Sequence, residues 1–437
     1  MPELYIESLA YGGDAIAHLE DGRTAFVSGA CPGDTVRVSI TADQGRFVRA
    51  ATQEVLEPSP NRVVPPCPYF GVCGGCSWQH VSHELQLTAK RQSVVDALVR
   101  IGGITDAADL VAETIASPEQ YGYRNKVELV VDSSSGRPRL GFHRAGSEEI
   151  VAVDSCLLLP KAYAKAPKAL SGALRYVVGE QDLGITRVGL RVASHTRDVE
   201  LALWTEPGAF PRRIAATTLG TAVRTSSIVR VLVKGLAKAR KVTGVEVLSG
   251  AGHWRERLLG TTMAISAPSF FQVNTGAAEK LLRATLDGLA VSENDRVLDL
   301  YAGAGTFTLP LAAIAGETVA VEAASSAVKD LRRNLEIAGV WADVIGGDAA
   351  RELEAIGPVD AVVVDPPRSG LQPEALSGLV ATGASRIAYV SCDPATLARD
   401  AKSLTAKGYR LVAATPVDLF PQTYHVETVA IFHREGA

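Results

Sequence analysis

The sequence predicts an α/β protein in three parts: a small N-terminal β-barrel, an α+β central domain and a C-terminal doubly wound parallel sheet. Three observations carry this. Short strand-like runs with Gly-rich turns fill the first 57 residues. A Pro-rich break and a cluster of cysteines follow. From about Ala267, strands and helices alternate to the end. The 437 residues exceed one ordinary domain and suffice for two or three. We place the divisions at 1–57, 58–265 and 266–437.

In the first part, Leu4–Leu9 precedes the turn Ala10-Tyr-Gly-Gly-Asp14; Thr24–Val27, the turn Pro32-Gly33-Asp34 and Thr35–Ile40 follow. Many short strands at close spacing favour a small barrel. Pro58, Pro60, Pro65 and Pro66 then interrupt regular structure. His83–Arg100 reads as a helix with Leu87, Val94, Val95, Leu98 and Val99 as its apolar positions. In the central part, Lys126–Val131 and Leu140–Arg144 flank a hairpin turn at 133–137, and Thr186–Val192 and Val199–Trp204 flank another turn. In the last part, Thr275 caps a helix to about Leu286. Strands then follow at Arg296–Leu300, Thr318–Glu322, Ala342–Ile345, Ala361–Asp365 and Arg386–Ser391, with helices between most of them. Two closing strands, near Leu411–Asp418 and Val426–Phe432, have no full helix between them, which suits a reversed last strand.

Hydrophobic residues make up 47% of the chain and charged residues 21%, a globular composition. No apolar run approaches the roughly 20 residues that span a bilayer. The first residues lack a basic flank followed by an apolar core. A cytoplasmic protein with no membrane association, acting as a monomer, is therefore expected. The net charge of −4 argues at first against nucleic acid, yet the charge is uneven. Residues 1–57 carry −5, residues 58–260 carry +8 and residues 261–437 carry −7. A basic middle between acidic ends suits a phosphate-binding face.

Asp299-Leu-Tyr-Ala-Gly-Ala-Gly-Thr306 follows the first strand of the alternating region and opens a helix. Its glycines permit close approach of a ligand, and Glu322 ends the next strand where ribose hydroxyls are held. Nicotinamide enzymes share both features. Asp365-Pro-Pro-Arg368 decides between them. An acidic residue followed by two prolines at a strand end is what methyltransferases acting on nucleotide bases and amines place beside the transferred methyl. Tyr389-Val-Ser-Cys-Asp-Pro394 sets Cys392 at the end of the fifth strand, the edge at which open α/β sheets bind ligands. Uracil C5 is a poor nucleophile. A thiolate adding to C6 makes C5 an enolate carbon able to accept a methyl group, and a base must then remove the C5 proton. Glu427 is the base candidate and His425 its rival; alternation along a strand would put both on one face.

Cys67, Cys73 and Cys76 lie in a Gly- and Pro-rich loop, and Cys156 follows later. In a cytosolic protein four such thiols suggest a metal or iron–sulfur site rather than disulfides. Zinc remains the rival, although the first spacing is wider than in a finger.

Asp365-Pro-Pro-Arg-Ser-Gly370, Tyr389-Val-Ser-Cys392, Asp418-Leu-Phe-Pro-Gln-Thr-Tyr-His-Val-Glu427 and Phe270-Phe-Gln-Val-Asn274 occur in the order found in the RNA uracil-5-methyltransferase family, which the chain resembles along its length. The first part resembles a TRAM domain. The resemblance implies a Rossmann-like methyltransferase sheet dependent on S-adenosylmethionine, with Cys392 as nucleophile and Glu427 as base. It implies that Gln272, Tyr301, Glu322 and Asp365 bind the methyl donor and that Phe270 stacks on the target base. It also implies a [4Fe-4S] cluster on Cys67, Cys73, Cys76 and Cys156. The barrel and cysteines together resemble the ribosomal branch, so 23S rRNA is favoured over tRNA as partner. A non-catalytic RNA-binding protein and a methyltransferase acting on cytosine or an amine are the alternatives. One position departs from the family: Asp393 stands where Asn is usual, and a carboxylate facing the sulfur would oppose thiolate formation.

Overall fold

The computed structural model describes residues 1–133, 136–235 and 241–436. Six strands form the N-terminal sheet: β1 (Glu3–Tyr5), β2 (Ser8–Leu9), β3 (Ala15–His18), β4 (Thr24–Ser28), β5 (Thr35–Asp43) and β6 (Phe47–Glu57). Their order is β1-β5-β6-β4-β3-β2. Only two residues separate β1 from β2, so the two ends of the sheet meet in one stretch of chain and the barrel closes. Its core is built of small side chains, among them Ala15, Ala17, Ala25, Val27, Val36, Val38 and Val48. The run read as Leu4–Leu9 is thus two strands, and β3 and β6 are additions to the sequence reading. In β6 the apolar alternation is broken, because three register shifts against β5 bend the pair.

The central sheet comprises β7 (Lys126–Asp132), β8 (Arg139–His143), β9 (Ile150–Ala152), β10 (Ile185–Val192), β11 (Val199–Thr205), β12 (Ser227–Lys234) and β13 (Lys241–Ser249). The order is β13-β12-β11-β10-β7-β8-β9. Helices Ala166–Val178 and Arg212–Val223 cover one face through Leu170, Leu174, Ala215 and Leu219. The tip of the predicted turn at 133–137 lies outside the described residues. A hairpin, β14 (Trp254–Leu258) and β15 (Thr261–Ile265), leads into the last layer.

That layer is a sheet of β16 (Arg296–Leu300), β17 (Glu317–Glu322), β18 (Asp343–Gly346), β19 (Ala361–Val364), β20 (Arg386–Ser391), β21 (Tyr409–Val417) and β22 (Glu427–Arg434). The order is β18-β17-β16-β19-β20-β22-β21. All pairs are parallel except those of β22, which runs antiparallel to both neighbours, as the missing helix predicts. The central strands are buried on both faces and read as unbroken apolar runs, such as Ala361–Val364. The helix before them is capped by Asn274 rather than Thr275: the Asn274 side chain accepts from the Ala277 N–H, while the Thr275 hydroxyl donates to buried Glu256.

Helix His83–Arg100 has the predicted limits but an unexpected place. Val94, Val95 and Leu98 pack with Leu397, Ala401 and Leu404, in the core of the last sheet. Residues 111–115 then run beside β21 and cover its edge. The face of this helix is not purely apolar. Lys90 has no exposed surface and its Nζ lies 2.5 Å from Asp418 and 3.0 Å from the Phe420 carbonyl. His83 reaches the other Asp418 oxygen at 2.9 Å. One turn along, Gln86 donates to Trp78, Val81 and Gln422, and accepts from the Gln422 N–H. Burial pushes the Asp418 carboxyl up, but Lys90 and His83 outweigh it and hold it below its usual range. Lys90→Met therefore leaves a buried carboxylate uncompensated and should cost about 3–5 kcal/mol, whereas Lys90→Met with Asp418→Leu should cost much less. Urea unfolding of the two variants checks this; equal losses would refute it.

Candidate active site

Five strand ends converge on one edge of the last sheet. β16 leaves it through Tyr301, a non-glycine residue at φ 64°, and Gly303 and Gly305 follow at 57° and 101°. Strain of this kind in a side-chain-bearing residue persists only where the surroundings impose it. A Cβ on Gly305 would lie 2.8 Å from Leu331, whereas one on Gly303 would meet open space. The first glycine leaves open space beside the loop, and the second permits close packing of the helix that follows.

Acceptors without partners crowd this edge. Asp299 is wholly buried; one of its oxygens accepts from the Thr308 hydroxyl at 2.5 Å and the other has no partner. Glu322 accepts from the Gly303 and Ala324 N–H groups at 2.9 and 2.6 Å. Gln272 is 4% exposed and its side-chain oxygen is unpartnered, while its carbonyl is held by Asn125 at 2.8 Å. Phe271, its neighbour, packs in the same core as Ala302, Ala304 and Phe307, which brings this segment up to the glycine loop. Burial pushes Asp365 up to about 7. Asp299 is also pushed up to about 7, by burial first and then by Asp365 and Glu322. Asp299 was quoted in the sequence motif without a role, and its burial at a strand end is what the sequence alone could not disclose.

Cys392 follows β20, and Ser391 pairs with Thr428 on β22. The antiparallel register therefore sets Cys392 against Glu427. Burial, then the nearby Glu427 carboxyl, push the thiol up to about 11; the Arg368 charge opposes them. Glu427, 5% exposed, is itself pushed well above the carboxylate range by burial and by Asp365, again with Arg368 opposing. Arg368 was overlooked as a separate residue, although a cation three places after the strand-end acid is visible in the motif.

His425 does not share the strand of Glu427. It lies in the loop before β22, its ring 4.2 Å from that of Tyr424 and 5.8 Å from that of Phe420. Burial and then Arg368 lower it to about 4. The alternation argument that made the two equivalent does not apply to a loop residue. Asp393 turns away from the sulfur: one oxygen accepts from the Ala395 and Thr396 N–H groups at 2.9 and 3.0 Å and caps helix Pro394–Thr405. An Asp does there what an Asn does, with the helix dipole favouring its charge. Phe270 is 65% exposed.

Cys67, Cys73, Cys76 and Cys156 line one cavity of about 420 Å³, together with Arg124, Lys126, Arg368 and His425. The sequence reading grouped the four thiols, and they are near enough to act on one another electrostatically. Among the described residues, no three His, Cys, Asp or Glu side chains form a group that could hold a metal ion. The Gly75 N–H lies 3.4 Å from the Cys73 sulfur, and the Leu159 N–H donates to the Cys156 carbonyl at 3.3 Å. Among the same residues no helix is long and apolar enough to cross a membrane.

Comparison with known proteins agrees with this geometry. Residues 349–435 match the tRNA (Uracil-5-)-methyltransferase family, and residues 3–51 match the TRAM domain. The chain is 37% identical to a 23S rRNA (uracil(1939)-C(5))-methyltransferase of Alkalilimnicola ehrlichii, over 99% of this chain and 97% of the relative. It is 35% identical to an uncharacterized RNA methyltransferase of Thermosynechococcus vestitus, over 98% and 97%. The crystal structure of the Pyrococcus abyssi tRNA (uracil-54, C5)-methyltransferase with S-adenosyl-L-homocysteine superposes with a TM-score of 0.77, at 26% identity over 99% of this chain and all of that one. With this edge of strand-end acids, thiol and guanidinium, and with likeness along its whole length, the chain belongs to the S-adenosylmethionine-dependent RNA uracil-5-methyltransferases.

Proposed function

We propose that the protein methylates C5 of a uridine in ribosomal RNA, favouring 23S rRNA, through a covalent bond between Cys392 Sγ and C6 of the base. The pairing of Cys392 with Glu427 across β20 and β22, with the Arg368 charge bearing on the thiol, supports this most directly. Gln272, Tyr301, Glu322 and Asp365 are the residues proposed to hold the methyl donor, with Asp299 beside them. The free acceptors of Gln272 and Asp299 suit a cationic ligand. When bound, S-adenosylmethionine supplies an electrophilic methyl group on a positively charged sulfur. The favoured ribosomal substrate rests on the full-length likeness to the 23S rRNA enzyme; the tRNA alternative draws on the P. abyssi structure.

Burial holds the resting thiol protonated at neutral pH, so Arg368 acts at the first step: its charge favours the thiolate. The Sγ–C6 bond forms as the C5–C6 double bond shifts its electrons toward the C4 carbonyl oxygen. C5 takes the methyl group. Glu427, as carboxylate, removes the proton from C5, and the returning electrons expel Cys392 as thiolate. Burial that raises Glu427 makes it a stronger base than an exposed carboxylate once ionised. The target must leave its stack to reach this edge, and exposed Phe270 is placed to take it.

We further propose that Cys67, Cys73, Cys76 and Cys156 carry a [4Fe-4S] cluster of structural role. Their shared cavity and the Gly75 N–H on the Cys73 sulfur support it. Methyl transfer to an enolate needs no electrons. The cluster would tie the loop after the barrel to residue 156, closing a long loop whose entropy is otherwise unfavourable.

Three outcomes test these proposals. Arg368→Gln should slow covalent trapping of RNA containing 5-fluorouridine by about 10- to 100-fold, the range over which one nearby charge shifts an ionisation. It should also move the rise of trapping with pH to higher pH, since Arg368 lowers the thiol; an unmoved profile would refute its role. Glu427→Gln should accumulate methylated RNA–enzyme adduct and turn over about 100- to 10,000-fold more slowly; normal turnover would remove it as the base. Anaerobically purified protein should contain iron and be brown, and Cys156→Ser should bleach it while leaving donor affinity unchanged. Zinc without iron would overturn the cluster.

A further inference from the structure

The barrel sends one side chain into the site. Tyr11 lies in the turn between β2 and β3, and its hydroxyl donates to the Cys392 carbonyl at 3.2 Å across 381 positions of sequence. Its ring meets that of Tyr424 edge-on, with centroids 5.3 Å apart, and Tyr424 in turn lies on His425. The turn is seated, not merely adjacent. The Gly13 carbonyl accepts from the indole N–H of wholly buried Trp78 at 3.0 Å. A Cβ on Gly13 would lie 3.1 Å from Ser77 and 3.2 Å from Tyr424, at φ 101°. Trp78 and Ser77 hydrogen-bond through their N–H groups to the Gln422 carbonyl, so the contact continues into the loop that precedes Glu427.

We propose that Tyr11 is a positioning residue for the nucleophile: by holding the Cys392 carbonyl it fixes the peptide that aims Sγ at C6. The inference rests on the reading of Cys392 as nucleophile. The hydroxyl bonds to a main-chain oxygen rather than to the sulfur, so its effect is on the attitude of the thiol and not on its protonation. Burial, and then Asp393 and Cys392, raise Tyr11 further above its ordinary range, which keeps it a neutral donor throughout the working pH. The barrel thereby completes the site. A barrel displaced from the turn at Cys392 would leave the nucleophile less well aimed.

The test is single-turnover trapping of 5-fluorouridine-containing RNA by the full chain, with binding of RNA and of S-adenosylhomocysteine measured separately. Tyr11→Phe keeps the ring on Tyr424 and removes only the hydroxyl. Trapping should slow about three- to tenfold, as for loss of one hydrogen bond. Both affinities and the midpoint of the pH profile should stay unchanged. Gly13→Ala, which lifts the turn without altering Tyr11, should slow trapping at least as much. An unchanged rate in Tyr11→Phe, beside a wild-type protein that traps, overturns the role of Tyr11 alone. A shifted pH midpoint overturns positioning in favour of proton transfer. A wild-type protein that forms no adduct overturns the nucleophile reading, and this inference with it.

Discussion

Lys90 and Asp418 meet with both side chains wholly buried, and the arrangement of the site depends on that meeting. Asp418 directly follows β21, and the eight residues after it must reverse direction to enter β22 beside β20. A loop of that length has many conformations. The ion pair, the Gln86–Gln422 exchange and the Ser77 and Trp78 bonds to Gln422 select one of them. Since a buried charge that loses its partner is costly, the loop cannot drift without exposing Asp418 or Lys90 unpaired. The helix that supplies Lys90 comes from the segment next to the barrel, so the last motif is held by residues more than 300 positions earlier.

The register that follows explains the electrostatics. With β22 inserted antiparallel between β20 and β21, Glu427 arrives at the same edge as Asp365, Asp299 and Cys392. Acidic groups so placed raise one another, and only Arg368 among the groups acting on Cys392 draws its thiol down. Crowded acids of this kind favour a positively charged ligand, since a cation beside them stabilises their ionised forms.

The cysteine cavity and the site are not separate features. Arg368 and His425 line the same cavity as Cys67, Cys73, Cys76 and Cys156. Residues just after the barrel, the turn near residue 156 and the last motif therefore share one wall. Tyr11 approaches the same strand-end edge from the barrel, through the Cys392 turn. Three regions of the chain thus border this edge.

Much of this was legible before the structure. The alternating β and α pattern gave the doubly wound sheet with its reversed strand, because strands buried on both faces are apolar throughout and helices are not. The limits of Arg296–Leu300, Arg386–Ser391 and His83–Arg100 follow from such patterns. The site residues could be listed because each sits in a short motif at a strand end. Their contacts could not, since those join positions far apart in sequence. Asp393 is one instance: sequence admits a carboxylate facing the sulfur, and a helix N-terminus one turn away captures it instead. Strand β6 is another, its alternation hidden by bulges. Sequence by itself determined the layers, the strand-end chemistry and the grouping of cysteines, because these depend on local spacing. Only the tertiary structure decided that Lys90 anchors Asp418, that the Arg368 charge bears on the Cys392 thiol and that Tyr11 reaches the Cys392 carbonyl. Side-chain hydrogen bonds act over about 3 Å, and local sequence carries no record of which distant group will stand there.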